Sequence, residues 1–144
     1  SSTGWKRKPS LPVVSLPSVL MADHAECLNA GEVIHATAKR LGRRAVFVAS
    51  TAFAHVLARG RHNWPTPEHM AADRGFIDKL RGGAIDEAIT GLGDYAKLVG
   101  AEMGGRPLAT LLGALRAMRA DRGPLVGRQY GEYAQSSGSG NAVL

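Results

Sequence analysis

The sequence predicts an α/β fold with a mostly parallel central sheet, flanking helices and C-terminal β segments. Three observations carry this expectation. Residues 11–16 and 45–49 are short apolar runs that read as strands, and 45–49, too short for a helix and bounded by charge and small polar residues, reads as one buried on both faces. Between them Cys27, Ala30, Ile34, Ala38 and Leu41 recur at helical spacing, with Glu26, Lys39 and Arg40 on the other side. Strand, helix and strand in that order make one right-handed βαβ unit, hence a parallel pair with the helix across one face.

The elements follow in order. Residues 1–10 form a polar segment without periodicity. The strand at 11–16 carries Pro12 near its start and is stopped by Pro17, which has no amide proton to give a ladder. The helix over 23–41 is bracketed by Asp23 as N-cap and Gly42 just past its end. After the strand at 45–49 comes a loop over 56–67 rich in glycine, proline and polar residues. Thr66-Pro67-Glu68 opens a second helix with a cap, proline at the first position and an acid in the first turn; it buries Met70, Phe76, Ile77 and Leu80 and stops at Gly82-Gly83. A short helix is expected over 84–90, a break at Gly91-Leu92-Gly93, a helix over 94–103 and another over 108–120 ended by Gly123-Pro124. The tail reads as two β segments, 128–134 and 141–144, around a serine- and glycine-rich loop. That loop lacks the lysine and following helix that a phosphate-binding loop needs.

With 144 residues, one domain with a substantial core is expected. The net charge is +6, but the basic residues are scattered and aromatics are only 6%, with none interleaved as a base-stacking surface requires, so nucleic-acid binding is not expected. No run approaches a membrane span and no signal peptide is visible. Cys27 is the sole cysteine, which excludes an internal disulfide and fits a reducing, cytoplasmic setting. The polar opening from Ser1 and the apolar end at Ala142-Val143-Leu144 lead to the expectation of a piece of a larger α/β domain.

Two residues stand out chemically. His55 falls just past the carboxyl end of the strand at 45–49, where ligands bind in open α/β sheets, and histidine is the side chain most easily poised to move protons near neutral pH. It reads either as that or as a satisfied loop histidine. Glu102 lies among small and apolar residues between two helices, and the residues alone favour its neutralisation by Arg106 over recruitment as a ligand or base. His62 and His69 are seven apart, too far for a metal pair on one helix face.

Four segments in order resemble the C-terminal half of the class III extradiol ring-cleavage dioxygenases, the superfamily of the protocatechuate 4,5-dioxygenase β subunit, homoprotocatechuate 2,3-dioxygenase and 2-aminophenol 1,6-dioxygenase. They are Pro12-Val13-Val14-Ser15-Leu16; Ala45-Val46-Phe47-Val48-Ala49-Ser50 followed by His55; Ala101-Glu102, eleven residues before Gly113-Ala114-Leu115; and Ser136-Ser137-Gly138-Ser139-Gly140-Asn141-Ala142-Val143. The resemblance covers the chain from 11 to 144. It implies that His55 is the catalytic acid/base and that Glu102 is the carboxylate of a two-histidine, one-carboxylate triad on Fe(II), with a small catechol- or 2-aminophenol-type substrate and O₂ at the open positions. It also implies a homo- or hetero-oligomer. The family's two histidine ligands lie in its N-terminal half, for which this chain has no counterpart, and His24 and His35 match neither. Thr51 and Ala54 depart from the pattern: Ala54 replaces a serine immediately before the histidine, removing a possible hydrogen bond that orients the ring. The alternative on the same fold is a non-catalytic subunit or interaction partner.

Overall fold

A computed structural model describes residues 11–56, 65–136 and 138–144. The polar segment 1–10, the arginines at 59 and 61, and His62 lie outside the described residues. The fold is mixed helix and strand. In chain order the elements are α1 (His24–Arg40), α2 (Pro67–Arg81), α3 (Ile85–Val99), α4 (Arg106–Arg122), β1 (Tyr130–Ser136) and β2 (Ser139–Val143).

The caps read in the sequence form as expected. Asp23 accepts from the Glu26 amide while the Glu26 carboxylate accepts from the Asp23 amide, each at 2.8 Å, a reciprocal capping box that opens α1. Thr66 caps α2, with Pro67 at the first helical position, and His69 completes the box. Two helix boundaries differ from the sequence expectation: the helix expected to run to Met103 ends at Val99, where Gly100 takes a left-handed φ of 57°, and an expected break is absent. The break at Gly91-Leu92-Gly93 does not occur, and α3 runs unbroken through it. Two interior glycines cost about 1 kcal/mol each. That is outweighed by the buried stripe of the same helix, since Ile85, Ala88, Leu92, Ala96 and Val99 are all buried and a fully buried leucine alone contributes about 1.5–3 kcal/mol.

The core lies between α2, α3 and α4: Phe76, Ile77 and Leu80 face Ile85, Leu92 and Val99, with Leu108, Ala109 and Leu112 closing it. The Phe76 and Tyr95 rings stack with centroids 4.4 Å apart, and Phe53 meets Phe76 edge-on at 6.4 Å. α1 is laid along α4 with the backbones in close approach. A Cβ at Gly31 would overlap the backbone of Thr110 and Ala114, and one at Gly113 the backbone of Leu28. Arg116–Glu32 at 2.7 Å and Asp121 with His35 and Lys39 at 2.8 and 2.7 Å lace the outside of this pair.

The sheet differs most from expectation. The two strands form an antiparallel hairpin, with Ala134 opposite Asn141 and Ser136 opposite Ser139, so pairing reaches further into the serine- and glycine-rich loop than the sequence indicated. The segments at 11–16 and 45–49 are not strands: neither has a ladder partner among the described residues. Leu11, Val13 and Val14 are 87, 86 and 84% exposed, and Val46 and Val48 are 90 and 79% exposed. The reason is physical. A buried strand exists only where neighbouring strands take its amides and carbonyls and a second layer covers its face. An apolar run states the demand for such neighbours without supplying them. No parallel pair is formed among the described residues, so the βαβ expectation is corrected to a helix flanked by two unpaired extended segments.

Candidate functional site

The site is built around residues 52–56. The chain bends at Phe53 and Ala54 and runs antiparallel beside β2, with His55 bridged to Ser139. The Gly140 carbonyl accepts from the Phe53 amide at 3.0 Å, the Gly140 amide donates to the Ala54 carbonyl at 2.8 Å, and the Val56 amide donates to the Gly138 carbonyl at 3.3 Å. Phe53 and Ala54 therefore both face Gly140, the two-against-one arrangement of a β-bulge, which kinks the chain and re-aims the next side chain. Two carboxylates hold the amides that this irregularity leaves over. Glu102 Oε2 accepts from Ala52 at 2.6 Å and Asp73 Oδ2 accepts from Ala54 at 3.1 Å.

His55 follows directly. Its Nδ1 lies 2.9 Å from the Ser139 hydroxyl, and Nε2 has no hydrogen-bond partner among the described residues. The hydroxyl missing next to the histidine, where Ala54 stands, is thus supplied across the strand pair by Ser139. Ala54 itself is 1% exposed and belongs to the core cluster.

Glu102 begins a tight turn over 102–105. Met103, Gly104 and Gly105 all have positive φ, at 52°, 64° and 77°. For methionine that conformation is strained and must be held by its surroundings. Arg106 does much of the holding, donating from Nε to the Ala22 carbonyl at 2.7 Å and from its terminal nitrogen to the Met103 carbonyl at 2.8 Å. His24 Nε2 donates to the Gly104 carbonyl at 2.7 Å. The expected Glu102–Arg106 ion pair is therefore not made. The guanidinium serves the backbone, and Glu102 turns instead to the segment that carries His55, its Oε1 without a partner among the described residues.

Asp73 was not singled out in the sequence. It is fully buried and accepts from the Tyr95 hydroxyl at 2.7 Å and the Tyr133 hydroxyl at 2.6 Å, besides Ala54. Burial first pushes both phenols above their usual value, followed by the Asp73 charge for Tyr95 and by the hydrogen bond to Asp73 for Tyr133. The signal was present: Asp73, Phe76, Ile77 and Leu80 share one helical stripe, and a carboxylate in an apolar stripe requires a partner.

No protein-family model matches the chain, and no curated protein matches it. Among the described residues the remaining histidines are engaged elsewhere: His24 on the Gly104 carbonyl, His35 on Asp121 and His69 in the cap of α2. Among the described residues, no three of histidine, cysteine, aspartate and glutamate stand close enough to hold a metal ion. A facial triad needs three protein ligands, so these residues do not by themselves fit Fe(II). What they provide is one histidine with a bare Nε2 and one carboxylate with a spare oxygen, gathered by a single short segment. Among the described residues no helix is long and apolar enough to cross a membrane.

Proposed function

We propose that the chain supplies the acid/base histidine and one carboxylate of a non-haem Fe(II) dioxygenase site that cleaves an aromatic ring beside its hydroxyl or amino substituents. The two histidine ligands come from a second polypeptide segment. One observation carries the reading: Glu102, free of Arg106, grips the amide of Ala52, three residues before His55. The two groups that the resemblance names are far apart in sequence and are served by one turn of backbone.

In this reading His55 works at Nε2. With Nδ1–H donating to the Ser139 hydroxyl, the Nε2 lone pair takes a proton from a hydroxyl or amino group of a small aromatic substrate and returns it later. Glu102 is oriented by the Ala52 amide through one oxygen and offers the other. The segments at 11–16 and 45–49 join a parallel sheet when the second segment docks, in a homo- or hetero-oligomer. The lone buried Cys27 suits a cytoplasmic setting.

The test is iron content together with oxygen uptake on catechols and 2-aminophenol. The isolated chain is expected to show neither stoichiometric iron nor uptake. Co-expression with an extradiol N-terminal half carrying two histidines is expected to restore both. Stoichiometric iron and ring cleavage in the isolated chain would overturn the half-site reading. Iron and uptake absent from the joined halves would overturn the dioxygenase reading.

A further inference from the structure

Asp73 needs an explanation that packing does not provide. It occupies a fully buried position on the apolar stripe of α2, where a leucine would fill the space without a charge to desolvate. It caps no helix, and no lysine, arginine or histidine pairs with it among the described residues. All three of its contacts are donors, as an ionised carboxylate requires: Tyr95 from α3, Tyr133 from β1 and the Ala54 amide. Gly140 is shaped to this arrangement, because a Cβ there would overlap both the Tyr133 hydroxyl and Asp73 Oδ2. The Ala54 amide is the group that the bulge leaves without a strand partner, and the next residue is His55.

We infer that Asp73 is the positioning residue for His55. By taking the Ala54 amide it ties the bulge to α2, α3 and β1 at once. It thereby sets the register in which the His55 ring meets Ser139 and the direction in which Nε2 is presented. The two tyrosines satisfy the rest of the carboxylate, so that it holds one backbone amide in a fixed place. The functional weight of this inference rests on the reading of His55 as acid/base, but its geometry does not.

The experiment uses the full ¹⁵N-labelled chain near pH 8, following the imidazole nitrogen shifts of His55 and hydrogen exchange at the Ala54 amide. The wild-type chain is expected to show one dominant His55 tautomer and an Ala54 amide protected at least about tenfold over an open amide. In D73N the side-chain oxygen cannot serve three donors. Ala54 protection is expected to fall about tenfold or more and the His55 signals to move to a tautomer mixture, while amides of the α1–α4 pair keep their protection. Y133F leaves the carboxylate in place and is expected to keep both wild-type readings. A folded D73N with unchanged Ala54 exchange and His55 tautomer overturns the inference. So does a wild-type Ala54 amide that exchanges like an open one, whatever becomes of D73N, and so does a Y133F chain that behaves like D73N. If instead the joined halves turn over normally without the His55 imidazole, the proposed function falls while these outcomes stand.

Discussion

At the scale of single residues, the chemistry depends on what each polar atom near His55 already holds. Nδ1 is engaged by Ser139 while Nε2 has no partner among the described residues, and in the proposed reading proton exchange therefore takes place at Nε2. Glu102 spends one oxygen on the Ala52 amide and keeps the other. Replacing each should separate the roles in the joined, iron-loaded assembly. H55A is expected to retain iron and lose about 10²–10⁴-fold in turnover, whereas E102A is expected to lose the iron. Iron loss from H55A with retention in E102A would invert the assignment. Tyr95, which is buried, and Tyr133, which is half-buried, make a second prediction. Their folded pKa values lie above the unfolded value of about 10. The stability linked to the neutral phenols is therefore complete below about pH 10 and is lost as pH rises past it, where unfolded tyrosines ionise and native ones resist. Urea unfolding across about pH 8–11 should show this decline, and Y95F should flatten it, while costing about 1–3 kcal/mol at neutral pH through the donor removed from Asp73. An undiminished alkaline decline in Y95F would assign it to other groups.

At the scale of elements, the α1–α4 pair shows how glycine sets a helix crossing. Gly31 and Gly113 face the partner backbone directly, and a methyl group at either would meet main chain, which cannot rotate away. G31A and G113A are each expected to destabilise by about 1–3 kcal/mol or more, as overpacking does, despite alanine's higher helix propensity. Denaturant midpoints measure this, and a stabilised G31A would mean that the helices are free to separate. Propensity misled in the other direction in α3, where Gly91 and Gly93 suggested a break and Leu92 between them is almost completely buried. The caps of α1 and α2 were legible because they are local chemistry: Asp23 with Glu26, Thr66 with Pro67. Asp73 was legible only as a carboxylate on an apolar stripe. Its donors lie 22 and 60 residues away for the tyrosines and 19 for the amide, and no local pattern announces them.

At the scale of the whole molecule, the helices bury one another's apolar faces while the segments at 11–16 and 45–49 leave theirs exposed. Along 47–51 the backbone alternates: Phe47, Ala49 and Thr51 are half-covered, while Val46, Val48 and Ser50 face outward. An extended segment with unpaired amides and an open apolar side is a template for further strand pairing. The isolated chain is therefore expected to self-associate despite its net charge of +6. The double variant V46K/V48K should shift sedimentation toward the monomer, since lysine on an exposed strand opposes edge pairing. Association undiminished in that variant would place the contact elsewhere.

What the sequence determined alone is what depends on neighbours a few residues away: α1, α2 and α4, the caps of α1 and α2, the hairpin tendency of the tail and the apolar character of 11–16 and 45–49. Tertiary structure decided what depends on partners brought from afar. Whether an apolar run becomes a strand is set by the strands beside it, and here none stands beside 11–16 or 45–49 among the described residues. Whether Glu102 pairs with Arg106 is set by the Ala22 and Met103 carbonyls, which claim the guanidinium first. Asp73 became part of the site only when folding placed Tyr95, Tyr133 and the Ala54 amide around it, because a buried charge is tolerated only where long-range contacts supply its hydrogen bonds.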